Sequence, residues 1–413
     1  MSQDELQCDV LVVGGGLVGA TLAHALAQVS IRTVLVEERD PGFLEQPKFD
    51  DRSTALANGS QRILQGLGLW EDFAQVAEPI KSIHISERGR FGATRILAKE
   101  EGVSALGYTV ENRILSSAIW PRLLEADSLV CKAPARLDSL TVEDTGITAE
   151  IESDGLRCGI RSKLVVAADG VRSRVRSALH ISALEDVYEQ TAVIVNCETE
   201  IAHMGRAFER FTSAGPLAFL PLSNQRVAVV WTLDPREADR VINLEDDEFR
   251  CELQQAFGQR LGRVRRAGSR SSYPLSRVRS TTVTANRAVL VGNAAVSLHP
   301  VAGQGFNLAL RDIATLAEML SDAHRANNAA DFGNTGLLKD YQACRISDQR
   351  RIAAFTHGLV HLFGYETGPL AITRGLGLVA FDLLPGAKGQ LARQTMGLGG
   401  RLSRLARGLP LVP

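Results

Sequence analysis

The chain has 413 residues, 45% hydrophobic and 23% charged, enough for two or three domains with a substantial core. Its 46 Lys and Arg nearly balance 47 Asp and Glu, so no electrostatic footprint points to nucleic acid or to a strongly acidic partner. Six scattered cysteines, without a CxxC pair or a neighbouring His, fit neither a disulfide framework nor a zinc site; no metal is expected, and reduced thiols suggest a cytoplasmic protein.

The opening MSQDELQC is acidic where a signal peptide is basic. Val10 to Val29 has the length of a membrane span, but three consecutive glycines and His24 make it a strand, a turn and a helix. Asp9 to Val13 is predicted as a strand, Gly14 to Gly19 lead into an alanine-rich helix, and TVLVEE follows as a second strand, completing one βαβ unit. KLVVAADG (163–170) and RAVLVGN (287–293) are further continuous apolar runs, as parallel strands covered on both faces are. Between them, IKSIHISER (80–88), VYEQTAVIVNCETE (187–200) and AFERFTSAGPLAFLPLSNQRVAVVWTL (207–233) alternate and are broken by Gly, Pro and Asn-Gln turns, the pattern of antiparallel strands. From about Asp312 the chain reads as helices. The predicted class is α/β: a discontinuous Rossmann-like nucleotide domain (1–79, 105–183, 277–345), an inserted and mostly antiparallel sheet domain (80–104, 184–276), and a helical C-terminal region (346–413).

Gly14, Gly16 and Gly19 form GxGxxG after a strand and at the start of a helix, where backbone N–H groups and the helix dipole can meet a pyrophosphate. Glu37 ends the next strand, placed to accept hydrogen bonds from both ribose hydroxyls of an adenosine. The fingerprint leaves NAD and FAD open. A second glycine-rich stretch, GNAAVSLHPVAGQGFNLALRD from Gly292, also lies between an apparent strand and an apparent helix. Gly303 and Gly305 allow the backbone to pass close to a flat ring, and the helix that follows points its positive end there.

Three stretches, DDRSTALANGSQRILQGLGLW from Asp50, VAADGVRSRVR from Val166 and the Gly292 stretch, resemble in order the Arg segment, the DG motif and the GD motif of the flavoprotein aromatic hydroxylases. YEQTAVIVNCETEIAHMGRAFERFTSAGPLAFLPLS and RSSYPLSRVRS resemble the ubiquinone-biosynthesis branch of that family, and the resemblance runs to about Phe363. It implies the fold of the p-hydroxybenzoate hydroxylase type, FAD as cofactor, and NAD(P)H as a transient reductant. It also implies dioxygen as co-substrate through a flavin C4a-hydroperoxide, and a polyprenylated phenol as substrate, most closely 2-octaprenyl-6-methoxyphenol.

Carried over residue by residue, Gly14, Gly16, Gly19 and Glu37 take the pyrophosphate and adenosine ribose, and Arg52 lies near the isoalloxazine. Arg113 contacts the phosphate or ribityl chain, and Asp169 belongs to the DG motif, with Arg172 and Arg176 nearby. Asn293 replaces the family's ribityl-binding Asp; its amide still accepts and donates, without the charge. The backbone groups of Gln304, Gly305 and Asn307 are candidates for the flavin N1 and C2 edge. Pro300 lies near C4a by the same resemblance, and His299 is either a proton donor or a loop-packing residue. No base is singled out among Glu209, Arg210, Tyr188 and His203. No second βαβ fingerprint serves a nicotinamide nucleotide, since GLGL at Gly375 lacks a preceding strand. Two readings of the C-terminal helices stand: contact with the inner-membrane surface or other ubiquinone-biosynthesis proteins, and simple cover for the sheet; a homo-oligomer is also open. Rival classes are a flavoprotein oxidase or dehydrogenase and a flavin-free prenyl carrier.

Overall fold

The computed structural model describes residues 5–40, 52–299, 303–364, 385–400 and 402–412. The nucleotide-type sheet has six strands in the order Thr284–Ala285, Ala288–Leu290, Leu164–Ala167, Val10–Val13, Thr33–Val36 and Leu129–Lys132. The last five run parallel. The four central strands read AVL, LVVA, VLVV and TVLV and are buried at every residue, in a core shared with the helices and with Leu137, Ile147, Ala149, Ile151 and Ile160 of an antiparallel sheet. Leu17–Ala27 packs against Asn112–Leu124 and against Gln304–Ala326, a 23-residue helix with a wide apolar stripe. The expected apolar runs at 163–170 and 287–293 are strands only in their middles; the second passes directly into a 3₁₀ turn at Gly292–Ala294.

The second large sheet has nine strands. Its main path runs Val296–Ser297, Ser271–Ser280, Ala183–Thr199, Arg226–Leu233, Pro216–Pro221, Arg206–Phe211, Ser82–Glu87 and Ala93–Leu97, with Val264–Ala267 paired onto Ala183–Thr199. Pairing is antiparallel except between Arg206–Phe211 and Ser82–Glu87, which come from distant parts of the chain. Side chains of successive residues leave a strand on opposite faces. One face, carrying Val193, Val195, Phe208, Leu217, Phe219, Val229 and Trp231, is sealed by the Pro235–Ile242 and Asp246–Phe257 helices. The other face carries Ile85, Ile194, Ala218, Leu220 and Val230, all half-buried.

Two smaller sheets complete the architecture. Ser53–Ala57, Gly107–Glu111 and Glu78–Ile80 form a three-stranded one. Leu6–Gln7, Leu156–Ser162, Ile147–Ser153 and Arg136–Val142 form a four-stranded one, to which the sequence reading had assigned no element. LDSLTV and LRCGIRS mix polar residues into both faces, whereas ITAEIES alternates, and Leu137, Ile147, Ala149, Ile151 and Ile160 enter the main core. Beyond the Gln304–Ala326 helix the chain is helical over Thr335–Gly364 and Pro385–Thr395, and none of the described helices is long and apolar enough to cross a membrane.

Candidate active site

The three fingerprint glycines have different physical reasons. Gly14 has φ +101°, and a Cβ there would lie 2.5 Å from the Ala168 carbonyl oxygen. A Cβ on Gly19 would lie 1.8 Å from the Gly14 carbonyl oxygen, so the helix sits on the strand end with room for hydrogen alone. At Gly16 a Cβ meets nothing within 4 Å. Packing therefore fixes the outer glycines, while the middle one borders open space with room for a ligand against the backbone. Gly16 caps the helix without a side-chain bond and no acidic residue lies in the first turn, so the leading N–H groups keep their capacity for an anion.

Glu37 follows the Thr33–Val36 strand directly. One carboxylate oxygen accepts from the Gly15 N–H at 2.5 Å and the other from the Arg39 N–H at 2.9 Å. These bonds orient the carboxylate beside the glycine loop and use about half of its four lone-pair sites, leaving acceptors for a pair of ribose hydroxyls. Glu38 is exposed beside it.

The Gly292 stretch closes on the same place. Gly292 has φ +58°, and its Cβ position is 3.1 Å from the side chain of Val18 on the fingerprint helix. The next residue, Asn293, presents an exposed side chain from a turn whose neighbours Gly292 and Ala294 are buried. Asp169 follows the Leu164–Ala167 strand by one residue. Its Oδ2 accepts from the N–H groups of Arg174 (2.7 Å) and Val175 (3.2 Å), capping a short helix, while Oδ1 is buried without a hydrogen bond. Arg176 joins the two motifs, donating to the carbonyls of Ala294 (3.0 Å) and Val171 (2.7 Å), whereas Arg172 is exposed. Arg176 thus has a structural part.

At the other end, Gly303 takes a left-handed conformation (φ +58°) and starts the Gln304–Ala326 helix, again without a side-chain cap or a first-turn acid. The Cβ direction of Gly305 is open. Asn307 is buried, and its amide is fully committed. Oδ1 accepts from the Ala57 N–H and the Ser60 hydroxyl, both at 2.7 Å, and Nδ2 donates to the carbonyls of Ala55 (2.8 Å) and Gly303 (2.7 Å). That side chain fastens the helix start to the Ser53–Ala57 strand, so only its backbone is available to a ligand. Gln304 is buried and donates to the Thr395 carbonyl at 3.4 Å.

Arg52 heads the Ser53–Ala57 strand. Its guanidinium lies 4.0 Å from the ring centroid of Tyr273 on the nine-stranded sheet, a cation–π contact joining the three-stranded sheet to the nine-stranded one. Desolvation, with some help from Arg39, lowers its pKa. The Arg52 carbonyl accepts the Asn112 N–H at 2.7 Å, which places half-buried Arg113 next to it, and neighbouring Glu111 forms a buried ion pair with Arg226 at 2.8 Å. Nothing in the sequence pairs Arg52 with Tyr273, because strand pairing alone brings Tyr273 there.

His299 is buried, and desolvation holds its pKa down at about 4, so the ring is neutral at ordinary pH. It stands edge-on to Tyr188, with centroids 5.2 Å apart, and the Tyr188 hydroxyl lies 3.2 Å from His357 Nδ1. His357 was not singled out from the sequence, where nothing links it to Tyr188. His203 is used by the fold, with Nε2 against the Leu222 carbonyl (2.9 Å) and Nδ1 accepting the Gly205 N–H (3.1 Å). Pro300 lies outside the described residues.

The donor set suits a dinucleotide. Two helix N-termini have no acid in their first turns, the Gly292 turn packs on Val18 of the fingerprint helix, the Cβ directions of Gly16 and Gly305 are open, and Asp169 keeps an unmet acceptor. Comparisons with known proteins agree. A family model described as an FAD binding domain matches residues 7–356. The chain is 40% identical over 406 residues to the ubiquinone hydroxylase UbiL of Rhodospirillum rubrum, covering 98% of this chain and 93% of that protein. It is 30% identical to the 3-demethoxyubiquinol 3-hydroxylase of Escherichia coli, covering 94% and 98%. In fold it resembles the p-nitrophenol 4-monooxygenase PnpA of Pseudomonas putida, with a TM-score of 0.79 at 18% identity over 97% of this chain and all of that one. With this site and these relatives, the chain belongs to the ubiquinone hydroxylases of the FAD-binding monooxygenase family and is an FAD-dependent aromatic hydroxylase.

Proposed function

We propose that the protein hydroxylates the ring of a polyprenylated phenol in ubiquinone biosynthesis, with 2-octaprenyl-6-methoxyphenol as substrate and NAD(P)H and dioxygen as co-substrates. The observation that carries the substrate class is the half-buried apolar face of the nine-stranded sheet. Ile85, Ile194, Ala218, Leu220 and Val230 stand there on the side away from the covering helices, the side from which Tyr273 reaches Arg52. An apolar wall beside a polar flavin cradle suits a ligand with a greasy tail and a phenolic head.

FAD, when bound and reduced by NAD(P)H, supplies the oxygen activation. The chain's own residues hold and shield. Gly16 and the leading N–H groups of the Leu17–Ala27 helix take the pyrophosphate, Glu37 the ribose, and Asn293 the ribityl chain. The N–H groups of Gln304 and Gly305 favour negative charge at the flavin edge next to them. Arg52, stacked on Tyr273 where the three-stranded sheet meets the nine-stranded one, would shield the ring from water. Buried and neutral, His299 packs against Tyr188 instead of adding a cation. The nine-stranded sheet serves as the substrate domain in this reading, and a cytoplasmic protein touching the inner-membrane surface through its C-terminal region would meet a membrane-borne substrate.

The test is complementation. Strains each lacking one ubiquinone hydroxylase are supplied with this gene and their accumulated intermediates identified. Loss of octaprenyl-methoxyphenol is expected; loss of a different intermediate refutes the ring position, and product without label from ¹⁸O₂ refutes oxygen insertion.

A further inference from the structure

Glu209 lies in the middle of the Arg206–Phe211 strand. Register places it in one row across the sheet: Ile194 opposite Val230, Val230 opposite Ala218, Ala218 opposite Glu209, and Glu209 opposite Ile85. Its neighbour Phe208 points the other way, into the helix-covered core with Phe219 and Phe257. Glu209 is therefore the one acid in a row of apolar side chains on the face assigned above to the substrate.

The end of that face nearest Glu209 is covered. Ile83 and Ile85, next to Glu209, pack with Ala392 and Met396 of the C-terminal segment, and Thr395 of the same segment accepts from Gln304 at the start of the flavin-side helix. Four strands away on the same face, Tyr273 carries Arg52. The C-terminal helix thus packs on the sheet beside Glu209 and also meets the start of the Gln304–Ala326 helix.

Glu209 is half-buried and has no hydrogen-bond or ion-pair partner among the described residues. The cations Arg95, Arg206, Arg210 and Arg260 gather around His84, on the opposite face. Ser82–Glu87 contributes Glu87, paired with Arg90 at 2.9 Å. The covering helix contributes Lys388, paired with Glu100 at 3.1 Å, and Arg393; the Pro216–Pro221 strand has no charge. Desolvation alone pushes the Glu209 carboxyl up to about 7. An unpaired acid among apolar side chains is costly to the fold and suited to proton transfer near neutral pH. Its competitors are engaged: both ring nitrogens of His203 bond to backbone, and the Tyr188 hydroxyl lies against His357.

We infer that Glu209 is the catalytic base that takes the proton of the substrate's phenolic hydroxyl; this rests on the hydroxylase reading above. As oxygen is delivered to the ring, the phenolic O–H bond breaks, the proton passes to a carboxylate oxygen, and the electron pair left on the phenol oxygen moves into the ring. A ring carbon forms the new C–O bond with one atom of dioxygen; the other leaves as water with electrons from NAD(P)H. When the ring carbon loses its hydrogen and aromaticity returns, Glu209 gives its proton back to the first oxygen.

The experiment uses full-length, FAD-loaded protein, NADPH, and 2-prenyl-6-methoxyphenol as probe. Glu209→Gln is expected to lower kcat by about 10²- to 10⁴-fold with little change in KM or in the rate of flavin reduction. The acidic limb of the wild-type profile near pH 7 disappears, and Glu209→Asp restores part of the rate. A Glu209→Gln kcat within threefold of wild type, or an unchanged limb, overturns the assignment. Infrared titration gives a readout independent of turnover: a carboxyl band titrating near pH 7 that phenol binding shifts, absent from Glu209→Gln. If wild type leaves the phenol unhydroxylated but the band shifts, the hydroxylase reading fails while the contact stands; no shift overturns the contact.

Discussion

Replacing Gly19 and Gly16 separately by Ala divides the fold from the cofactor. A Cβ at position 19 would stand 1.8 Å from the Gly14 carbonyl oxygen, about 1.6 Å short of the 3.4 Å at which ordinary van der Waals contact begins. The oxygen belongs to backbone hydrogen-bonded into the sheet edge, where Gly14 N–H donates to the Val36 carbonyl at 2.8 Å, so relief requires the helix to lift from the strand. Overpacking of this kind costs about 1–3 kcal/mol or more, and an unyielding backbone places Gly19→Ala at the upper end. Position 16 has φ −61° and free space, so alanine fits the folded chain. Its poorer capping and its smaller unfolded-state entropy roughly offset, leaving stability within about 0.5 kcal/mol. The added methyl does, however, occupy the space reserved for the pyrophosphate, and FAD affinity should fall at least about tenfold, about 1.4 kcal/mol. Denaturant midpoints of flavin-free protein and FAD titration by flavin fluorescence read the two effects. A Gly19→Ala protein as stable as wild type, or a Gly16→Ala protein that binds FAD normally, would refute the division of labour.

Other substitutions test the remaining parts. Asn293→Ala should weaken FAD binding by about tenfold and Asn293→Asp should strengthen it, since charge-assisted hydrogen bonds are the stronger ones; equal dissociation constants for all three proteins would remove Asn293 from the site. Asp312, buried, accepts from Arg345 at 2.6 Å and from Gln349 at 3.1 Å, and Arg345 keeps Asp348 at 2.7 Å as a second partner, so Asp312→Ala removes one of two charged hydrogen bonds to a buried guanidinium and should cost about 1.5–3 kcal/mol in the unfolding free energy. His84 and His299 are each held down at about 4 by burial, far below the usual value of 6.5. In that window the unfolded chain binds more protons, so their contribution to stability is complete above pH 6.5 and is lost as pH falls toward 4. His84→Gln should flatten that part of a melting-temperature profile, and an unchanged slope counts against the burial.

Local pattern made the nucleotide half of the protein legible. VLVV, GGGLVG and TVLV lie within one short stretch, and a βαβ unit has few ways to close, so Gly14, Gly16, Gly19 and Glu37 could be assigned roles from spacing. The four-stranded sheet was less legible, because only Ile147–Ser153 shows a clear alternation while its neighbours mix polar residues along both faces. The juxtapositions that give the site its character were also beyond the sequence. Gly292 against Val18, Asn307 against Ala57 and Ser60, Arg52 over Tyr273, and Glu209 beside Ile85 each join residues far apart in the chain. Sequence determined which residues could hold a dinucleotide, since backbone conformation and helix polarity are local properties. Tertiary structure decided which acid stands unpaired before the apolar face and which histidines are neutral, since desolvation depends on everything packed around a group.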